Sequence, residues 1–139
     1  MGGALIDGVI VTPLKRIANP KGDILHALKR SAPGFAGFGE AYFSSVQQGA
    51  VKGWKRHRRI TLNVVVPVGT IRFVIGDGER FCEVTLGADQ YARLTVRPGL
   101  WMAFQGRGPG TSLLLNVIDE EHDAAEAEDA ELRAFPFEW

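Results

Sequence analysis

Short runs of β-branched and aromatic residues alternate along this chain with turns rich in glycine and proline. The runs recur at spacings of about 8–12 residues, and clear examples are "ITLNVVVPV" (60–68), "TIRFVI" (70–75) and "SLLLNVI" (112–118). Segments such as "IGDG" and "GRGPG" have the composition of turns. About nine or ten strands follow from this pattern, which predicts an all-β sandwich or barrel. The length of 139 residues fits one domain with a substantial core, predicted to span 1–139.

Only two segments have a composition that fits a helix. The first, "ILHALKRSA" (24–32), lies between strand signals, which weakens the prediction. The second, "DAAEAEDAEL" (123–132), combines alanine with acidic residues. This second segment predicts a short C-terminal helix or a solvated tail.

The overall composition is that of an ordinary globular protein, with 45% hydrophobic and 23% charged residues. No apolar run reaches the roughly 18 residues that a membrane span needs. The N-terminus lacks a basic region before its apolar part, so no secretory signal is predicted. The single cysteine, Cys82, fits a reducing compartment, and the predicted location is cytoplasmic.

The formal net charge of zero hides a separation of charges along the chain. Residues 1–60 carry ten Lys and Arg against three Asp and Glu, whereas residues 119–131 carry eight acidic residues and no Lys or Arg. Either the basic half binds an anionic ligand, or the two segments meet each other. Nucleic acid is a weaker candidate, because Trp54 is the only stacking aromatic among the clustered basic residues.

The stretch "GAVKGWKRHRR" (49–59) is the most basic part of the chain. If it forms a regular strand, alternation places Lys55, His57 and Arg59 on one face. The other face then carries Trp54, Arg56 and Arg58. Two interpretations stay open. The row is a solvated face, which is the common case, or it lines a barrel mouth as an anion site with a titratable histidine at its centre.

The spacing of this stretch resembles the first motif of the cupins, in which a glycine is followed after five residues by H-x-H. Here Gly49 leads to Lys55 and His57. The second cupin motif is matched by "RPGLWM" (97–102), with Met102 at the histidine position. The segments "GVIVTPLKRIANPKGD", "GEAYFSSVQQGAVKGW", "LLLNVIDEEHD" and "FPFEW" resemble, in this order, the dTDP-4-dehydrorhamnose 3,5-epimerase family of nucleotide-sugar cupins.

The resemblance implies a cupin jelly roll, that is, a double-stranded β-helix, and a homodimer. It also implies a metal-independent epimerase or isomerase that needs no cofactor. The substrate would be a dTDP-4-keto-6-deoxyhexose, from which a base removes a proton next to the ketone. The alternative is a catalytically degenerate cupin that binds a nucleotide sugar or serves as a structural subunit.

The resemblance also assigns candidate site residues. Lys55 occupies the position of the epimerase base, whereas His57 aligns with the second histidine of the related 3,4-ketoisomerases, and Tyr42 matches a tyrosine on their preceding strand. These three residues are the candidate catalytic groups. The candidate substrate-binding residues are Lys52, Arg59, Lys21, Asn63, Trp54 and Asp119.

Three departures from the epimerase pattern fall on the catalytic apparatus. Lys55 replaces the base, and acidic residues 119–121 stand where the family has tyrosines. Full-length epimerases continue beyond the position of Trp139 and supply from there the aspartate that orients the base, so no such partner is predicted here. A metal is not expected, because His57 alone remains of the three histidines and one glutamate that metal-binding cupins use.

Overall fold

The structure is a computed structural model that describes residues 4–139, so the first three residues of the predicted domain lie outside the described residues. Twelve β-strands account for most of the ordered elements. They are β1 (Val9–Pro13), β2 (Arg16–Ile17), β3 (Ile24–Leu25), β4 (Glu40–Val46), β5 (Val51–His57), β6 (Leu62–Val68), β7 (Thr70–Gly76), β8 (Phe81–Gly87), β9 (Ala92–Val96), β10 (Trp101–Gly106), β11 (Ser112–Ile118) and β12 (Ala127–Asp129). The all-β prediction is confirmed.

The strands form two five-stranded antiparallel sheets. The first sheet has the order β1-β9-β6-β11-β4, and the second has the order β12-β5-β10-β7-β8. The short strands β2 and β3 pair with each other. Consecutive strands cross repeatedly from one sheet to the other, which places β5 and β6, neighbours in the sequence, on opposite walls of the molecule.

The hydrophobic core lies between the two sheets. Strand β11 alternates strictly, with Leu114, Asn116 and Ile118 buried and Leu115 and Val117 partly exposed. Ile71, Phe73 and Ile75 of β7 are completely buried in the same cluster. Alternation of this kind is the signature of a sheet with one face in the core. At one end of this core, its polar end, polar side chains join apolar ones around an open space.

The two segments with helical composition do not form regular helices. Residues 24–32 begin with β3 and continue as irregular structure. The acidic tail forms a 3-10 turn at Ala124–Glu126, then β12, then a second 3-10 turn at Leu132–Ala134. The backbone of Ala127–Asp129 pairs with β5 and does not form helical hydrogen bonds. This tertiary pairing overrides the weak helix propensity of so short a segment. Within residues 4–139, no helix has the length and apolar character to cross a membrane.

A second apolar cluster covers the outer face of the second sheet. The C-terminal aromatic rings pack there around Trp54, with ring centroids 5.2 Å away for Phe135 and 6.0 Å away for Trp139. The indole Nε1 of Trp54 donates a hydrogen bond to the carbonyl oxygen of Leu132 at 3.1 Å. The tail is therefore fixed to the back of β5, the strand whose front faces the space between the sheets.

Candidate active site

A cavity of about 300 Å³ opens between the sheets at the polar end of the core. The first sheet contributes one wall through β4, β6 and β11, and the second sheet contributes the other through β5 and β10. The lining includes Gly53 and Trp54 of β5 and the apolar side chains of Leu62, Val64, Met102, Phe104 and Leu114. The polar ones are Tyr42, Ser44, Lys52, Lys55, His57, Asn116 and Asp129. An apolar recess with a few convergent polar groups is the usual form of a small-molecule site.

A bulge in β5 determines which side chains face this cavity. Lys55 pairs with Met102 and Lys52 pairs with Phe104, so two residues of β5 oppose Ala103 alone. A Cβ on Gly53 would lie 2.6 Å from the Cα of Ala103, and its φ of 151° also disfavours other residues. Simple alternation is therefore wrong across this point.

After the bulge, Lys55 and His57 line the cavity together with Lys52, while Trp54 is buried on the opposite face. The guanidinium of Arg56 lies 4.7 Å from the centre of the Trp101 ring. Strand β5 ends at His57, so the predicted row of Lys55, His57 and Arg59 does not extend to its third member. The basic stretch is thus divided into cavity-lining residues, Lys52, Lys55 and His57, and outward-facing residues such as Arg56.

His57 is buried and held by a carboxylate. Its Nδ1 lies 2.7 Å from Oε1 of Glu126, which is completely buried. The other carboxylate oxygen, Oε2, accepts hydrogen bonds from the backbone N–H groups of Arg59 at 2.9 Å and Ile60 at 3.0 Å. Both carboxylate oxygens of Glu126 are thus paired, Oε1 with the last residue of β5 and Oε2 with the turn that follows it.

The electrostatics of this pair favour an ionised glutamate. Burial opposes ionisation of Glu126, but hydrogen bonds from His57 and from the backbone of Arg59 and Ile60 outweigh it and lower its pKa to about 2. An ionised carboxylate accepts hydrogen bonds only, so Nδ1 of His57 is the protonated ring nitrogen. The neutral imidazole then has its lone pair on Nε2, as a general base requires.

Tyr42 lies on the opposite wall, in β4. Its phenolic oxygen accepts a hydrogen bond from Nδ2 of Asn116, its direct neighbour on β11, at 3.0 Å. Burial raises the pKa of the Tyr42 phenol; the charge of Glu40 adds to the rise, and the hydrogen bond from Asn116 offsets part of it. The phenol therefore stays protonated at neutral pH. The His57 ring and the protonated phenol of Tyr42 thus line opposite walls of one cavity.

Two lysines occupy the wall that carries His57. Nζ of Lys52 donates to Oγ of Ser44 at 2.9 Å and to the carbonyl oxygen of Ser45 at 3.1 Å, which connects β5 to β4. Nζ of Lys55 lies 3.5 Å from a carboxylate oxygen of Asp129. As ammonium groups both lysines donate hydrogen bonds and accept none. They suit an anionic ligand better than they suit proton abstraction.

Arg59 and Lys21 do not line the cavity, and Trp54 lines it while its ring packs in the outer aromatic cluster. Arg59 pairs with Glu120 through Nε at 3.1 Å on the exposed surface. Lys21 is exposed in the turn before β3. The ring of Trp54 is 1% exposed in the outer aromatic cluster, which leaves no face for a nucleobase to stack on.

Asn63 and Asp119 also serve other contacts. Asn63 donates to the carbonyl oxygen of Gly34 at 3.0 Å and accepts from Arg93, which ties the loop before β4 to the outside of the first sheet. Asp119 accepts a hydrogen bond from the backbone N–H of Thr61 at 2.8 Å. These two residues support the loops around the site from outside the cavity.

Two residues of the site were not among the sequence predictions. Glu126 takes the orienting role for which the sequence predicted no partner, and that expectation is wrong because the tail turns back to pair with β5. A signal was present in the charge separation, since the basic and acidic segments do meet each other. Asn116 gave no comparable signal within the apolar run of β11.

The arrangement of the remaining donors does not suggest a metal centre. Among residues 4–139 there is no group of three or more His, Cys, Asp and Glu side chains placed to hold an ion. Lys55 and Met102 occupy two of the positions where metal-binding cupins carry histidines, and they face each other across β5 and β10.

The fold and the sequence both match a solved dTDP-sugar isomerase from Desulfovibrio desulfuricans G20. The identity is 36%, the alignment covers 98% of this chain and 95% of that one, and the TM-score is 0.91. The chain belongs to the dTDP-sugar isomerase family of cupins. The resemblance predicted from the motifs is thereby confirmed.

More distant solved structures share the fold. The sugar 3,4-ketoisomerase QdtA from Thermoanaerobacterium thermosaccharolyticum, solved with TDP, is 17% identical and has a TM-score of 0.77, with 89% of each chain covered. The 4-keto-6-deoxy sugar epimerase NovW from Streptomyces spheroides is 16% identical with a TM-score of 0.85, covering 99% of this chain and 77% of that one. No protein-family model matches the chain, and no curated protein matches its sequence.

Proposed function

We propose that this protein is a nucleotide-sugar epimerase or isomerase that acts on a dTDP-4-keto-6-deoxyhexose. One observation carries the proposal: an oriented, buried His57–Glu126 pair on one wall of the cavity faces a protonated Tyr42 on the other. Membership of the dTDP-sugar isomerase family supports the choice of substrate class.

His57 is the proposed base. Nε2 takes the proton from the carbon next to the C4 ketone, the C–H electron pair forms the C=C bond of an enolate, and negative charge moves onto the C4 oxygen. Glu126 stabilises the imidazolium that forms and holds the ring in the productive tautomer. Lys55, at the position of the epimerase base, is proposed to provide positive charge instead of accepting the proton.

Tyr42 is the proposed acid. Return of a proton from its side of the ring to the same carbon inverts that carbon, which is epimerisation. If the C3 hydroxyl proton moves instead to the C4 oxygen and a proton is added to carbon C4, the ketone is transferred to C3. Both outcomes use the same two residues, so the orientation of the sugar in the cavity decides between them.

The diphosphate is proposed to contact Lys52 and Lys55. Charge-assisted hydrogen bonds to phosphate are shorter and stronger than neutral ones, and both ammonium groups line the cavity that holds His57. The exposed pairing of Arg59 with Glu120 makes Arg59 a weaker candidate than its position in the sequence suggested. The homodimer and the cytoplasmic location implied by the sequence stay predictions.

The proposal is tested by incubating the protein with dTDP-4-keto-6-deoxyglucose in deuterated water and following deuterium at C3 and C5 by NMR. We expect exchange with the native protein and a loss of about 100-fold or more in His57→Gln. His122→Gln is the matched control, because His122 lies on the exposed tail surface and contacts Glu40 only through its backbone N–H. Calorimetry should show that His57→Gln still binds dTDP.

The result that would sink the enzyme hypothesis is tight binding of the dTDP-sugar by the native protein with no exchange at either carbon. That outcome would favour the degenerate, ligand-binding cupin. Equal exchange by the His57 and His122 variants would instead remove His57 from the mechanism.

A further inference from the structure

Asn116 carries a buried hydrogen-bond acceptor with no partner. The residue is 4% exposed and lines the cavity. Its Nδ2 donates to the Tyr42 hydroxyl, but its Oδ1 contacts no donor among the described residues. Buried polar atoms are nearly always paired, because an unpaired one has lost its hydrogen bonds to water without replacement.

The packing of β11 does not require an amide at this position. The inward-facing residues two positions before and after it are Leu114 and Ile118, and its cross-strand neighbour on β6 is Val64. An apolar side chain would continue this row without an unsatisfied atom. The asparagine therefore has a cost in the free protein that binding of a ligand donor would offset.

The chemistry of the proposed substrate narrows down that donor. Ketone and phosphate oxygens only accept hydrogen bonds, so neither can satisfy Oδ1. The donors on a 4-keto-6-deoxyhexose are its hydroxyls at C2 and C3, and these lie on the ring that must sit between His57 and Tyr42. The remaining donors, the thymine N–H and the deoxyribose hydroxyl, lie on the nucleoside beyond the diphosphate.

The other half of the amide acts on Tyr42. Because the phenolic oxygen accepts from Nδ2, its own hydrogen is not used toward Asn116 and is free to point into the cavity. Asn116 thereby selects the donor role for the phenol. One side chain can thus sense a sugar hydroxyl and prepare the proton donor.

We propose that Asn116 is a specificity-determining and positioning residue, whose Oδ1 accepts a hydrogen bond from a ring hydroxyl of the bound sugar while Nδ2 fixes Tyr42 as a proton donor. The assignment rests on the proposed function, since it takes the sugar class from it. It goes further in stating which part of the sugar is recognised and by which atom.

The test compares affinities for dTDP and for dTDP-4-keto-6-deoxyglucose in Asn116→Leu and Asn116→Asp. The Leu variant should keep native affinity for dTDP and lose about tenfold in affinity for the dTDP-sugar. The Asp variant keeps an acceptor for the sugar but draws the Tyr42 hydrogen to its carboxylate. It should therefore keep KM within about threefold and lose kcat by about tenfold or more.

Gln90→Leu is the matched control, since it makes the same amide-to-leucine change at a residue after β8, outside the cavity lining, whose Nε2 donates to the carbonyl oxygen of Thr85. Analogues that lack the hydroxyl at C2 or at C3 complete the test. The native protein should bind one of the two analogues more weakly than it binds the complete dTDP-sugar. Asn116→Leu should bind that analogue as tightly as the native protein does.

The outcomes separate this assignment from the function it rests on. A native protein that neither binds nor exchanges the dTDP-sugar overturns both. A native protein that does exchange it, with Asn116 variants that keep the native ratio of dTDP-sugar to dTDP affinity, overturns the assignment alone. Parallel loss of dTDP and dTDP-sugar binding in Asn116→Leu also overturns it, because that pattern belongs to a structural residue.

Discussion

Two acid–base contacts join the same pair of segments, yet they differ in almost every physical respect. His57 and Glu126 lie 2.7 Å apart with side chains that are 9% and 0% exposed. Lys55 and Asp129, two residues before His57 and three after Glu126, lie 3.5 Å apart with side chains that are 47% and 79% exposed. The first contact is shielded from water by the sheet pairing of β5 with β12, and the second stands at its rim.

The pairing of β5 with β12 brings a basic and an acidic segment together and produces two contacts that differ in function. The register opposes Ala127 to His57 and Asp129 to Lys55, so the pairs are distributed along a single ladder. Buried ion pairs depend on complete hydrogen bonding, whereas exposed pairs are weakened by water and salt. Glu126 meets this condition through its additional bonds to backbone N–H groups.

The largest effect should come from Glu126→Gln. A glutamine has one acceptor oxygen. Either that oxygen accepts from His57 and the backbone N–H groups of Arg59 and Ile60 lose their acceptor, or it accepts from the backbone and the NH₂ group faces His57. In the second case the imidazole takes the tautomer with its proton on Nε2 and cannot act as a base. We expect kcat for deuterium exchange to fall about 100-fold or more.

The control for this variant is Glu120→Gln, which removes an exposed carboxylate paired with Arg59. Its rate should stay within about threefold of the native value. Comparable losses in both variants would mean that the tail acts through its total charge, and the distinction between the buried and the exposed contact would not hold.

The second effect concerns stability at low pH. The pKa of Glu126 is lowered from 4.5 to about 2 in the folded protein. Between these two pH values the folded state therefore binds fewer protons than the unfolded state. The stability it contributes is present above about pH 4.5 and is lost as the pH falls toward 2, by up to about 3 kcal/mol.

Urea unfolding at a series of pH values from 6 to 2 measures this contribution. Glu126→Gln should be less stable than the native protein at pH 6, and its curve should be flatter through the acid window. Native and variant curves that run parallel throughout would show that other carboxylates produce the acid dependence.

Much of the fold could be predicted because it depends on local patterns. The sequence shows the apolar runs of β6, β7 and β11 and the glycine-containing turns near them, and the strands of the structure lie at these runs. The tail was harder, since the composition of "DAAEAEDAEL" favours a helix and only the partner strand β5 makes it extended. Long-range pairing of this kind has no local signal.

The site shows the same division. His57 and Tyr42 could be chosen from the resemblance to the nucleotide-sugar cupins, and both line the cavity. Alternation placed Lys55 and His57 on one face as the structure does, but it could not show that Lys52 shares that face, because the bulge at Gly53 adds a residue to the strand. Arg59 lies past the end of that strand, and Glu126 comes from 69 residues further along the chain than His57. Such positions follow from the folded register and not from sequence spacing.

The smallest effect should come from Asp129→Asn, which removes the exposed partner of Lys55. Because both side chains are largely hydrated, the free energy of unfolding should change by no more than about 0.5 kcal/mol.

Binding is the more sensitive measure of the Asp129→Asn change. Asp129 lines the cavity, so loss of its negative charge frees Lys55 and removes a repulsion on the diphosphate. Affinity for dTDP should rise about two- to threefold at low salt, and the gain should disappear at about 0.5 M salt. Glu131→Gln, which alters a tail carboxylate that pairs only with the neighbouring Arg133, should bind dTDP like the native protein. A loss of affinity in Asp129→Asn, or a gain that persists in high salt, would place Asp129 with Glu126 as a structural partner of the site and remove the contrast between the two contacts.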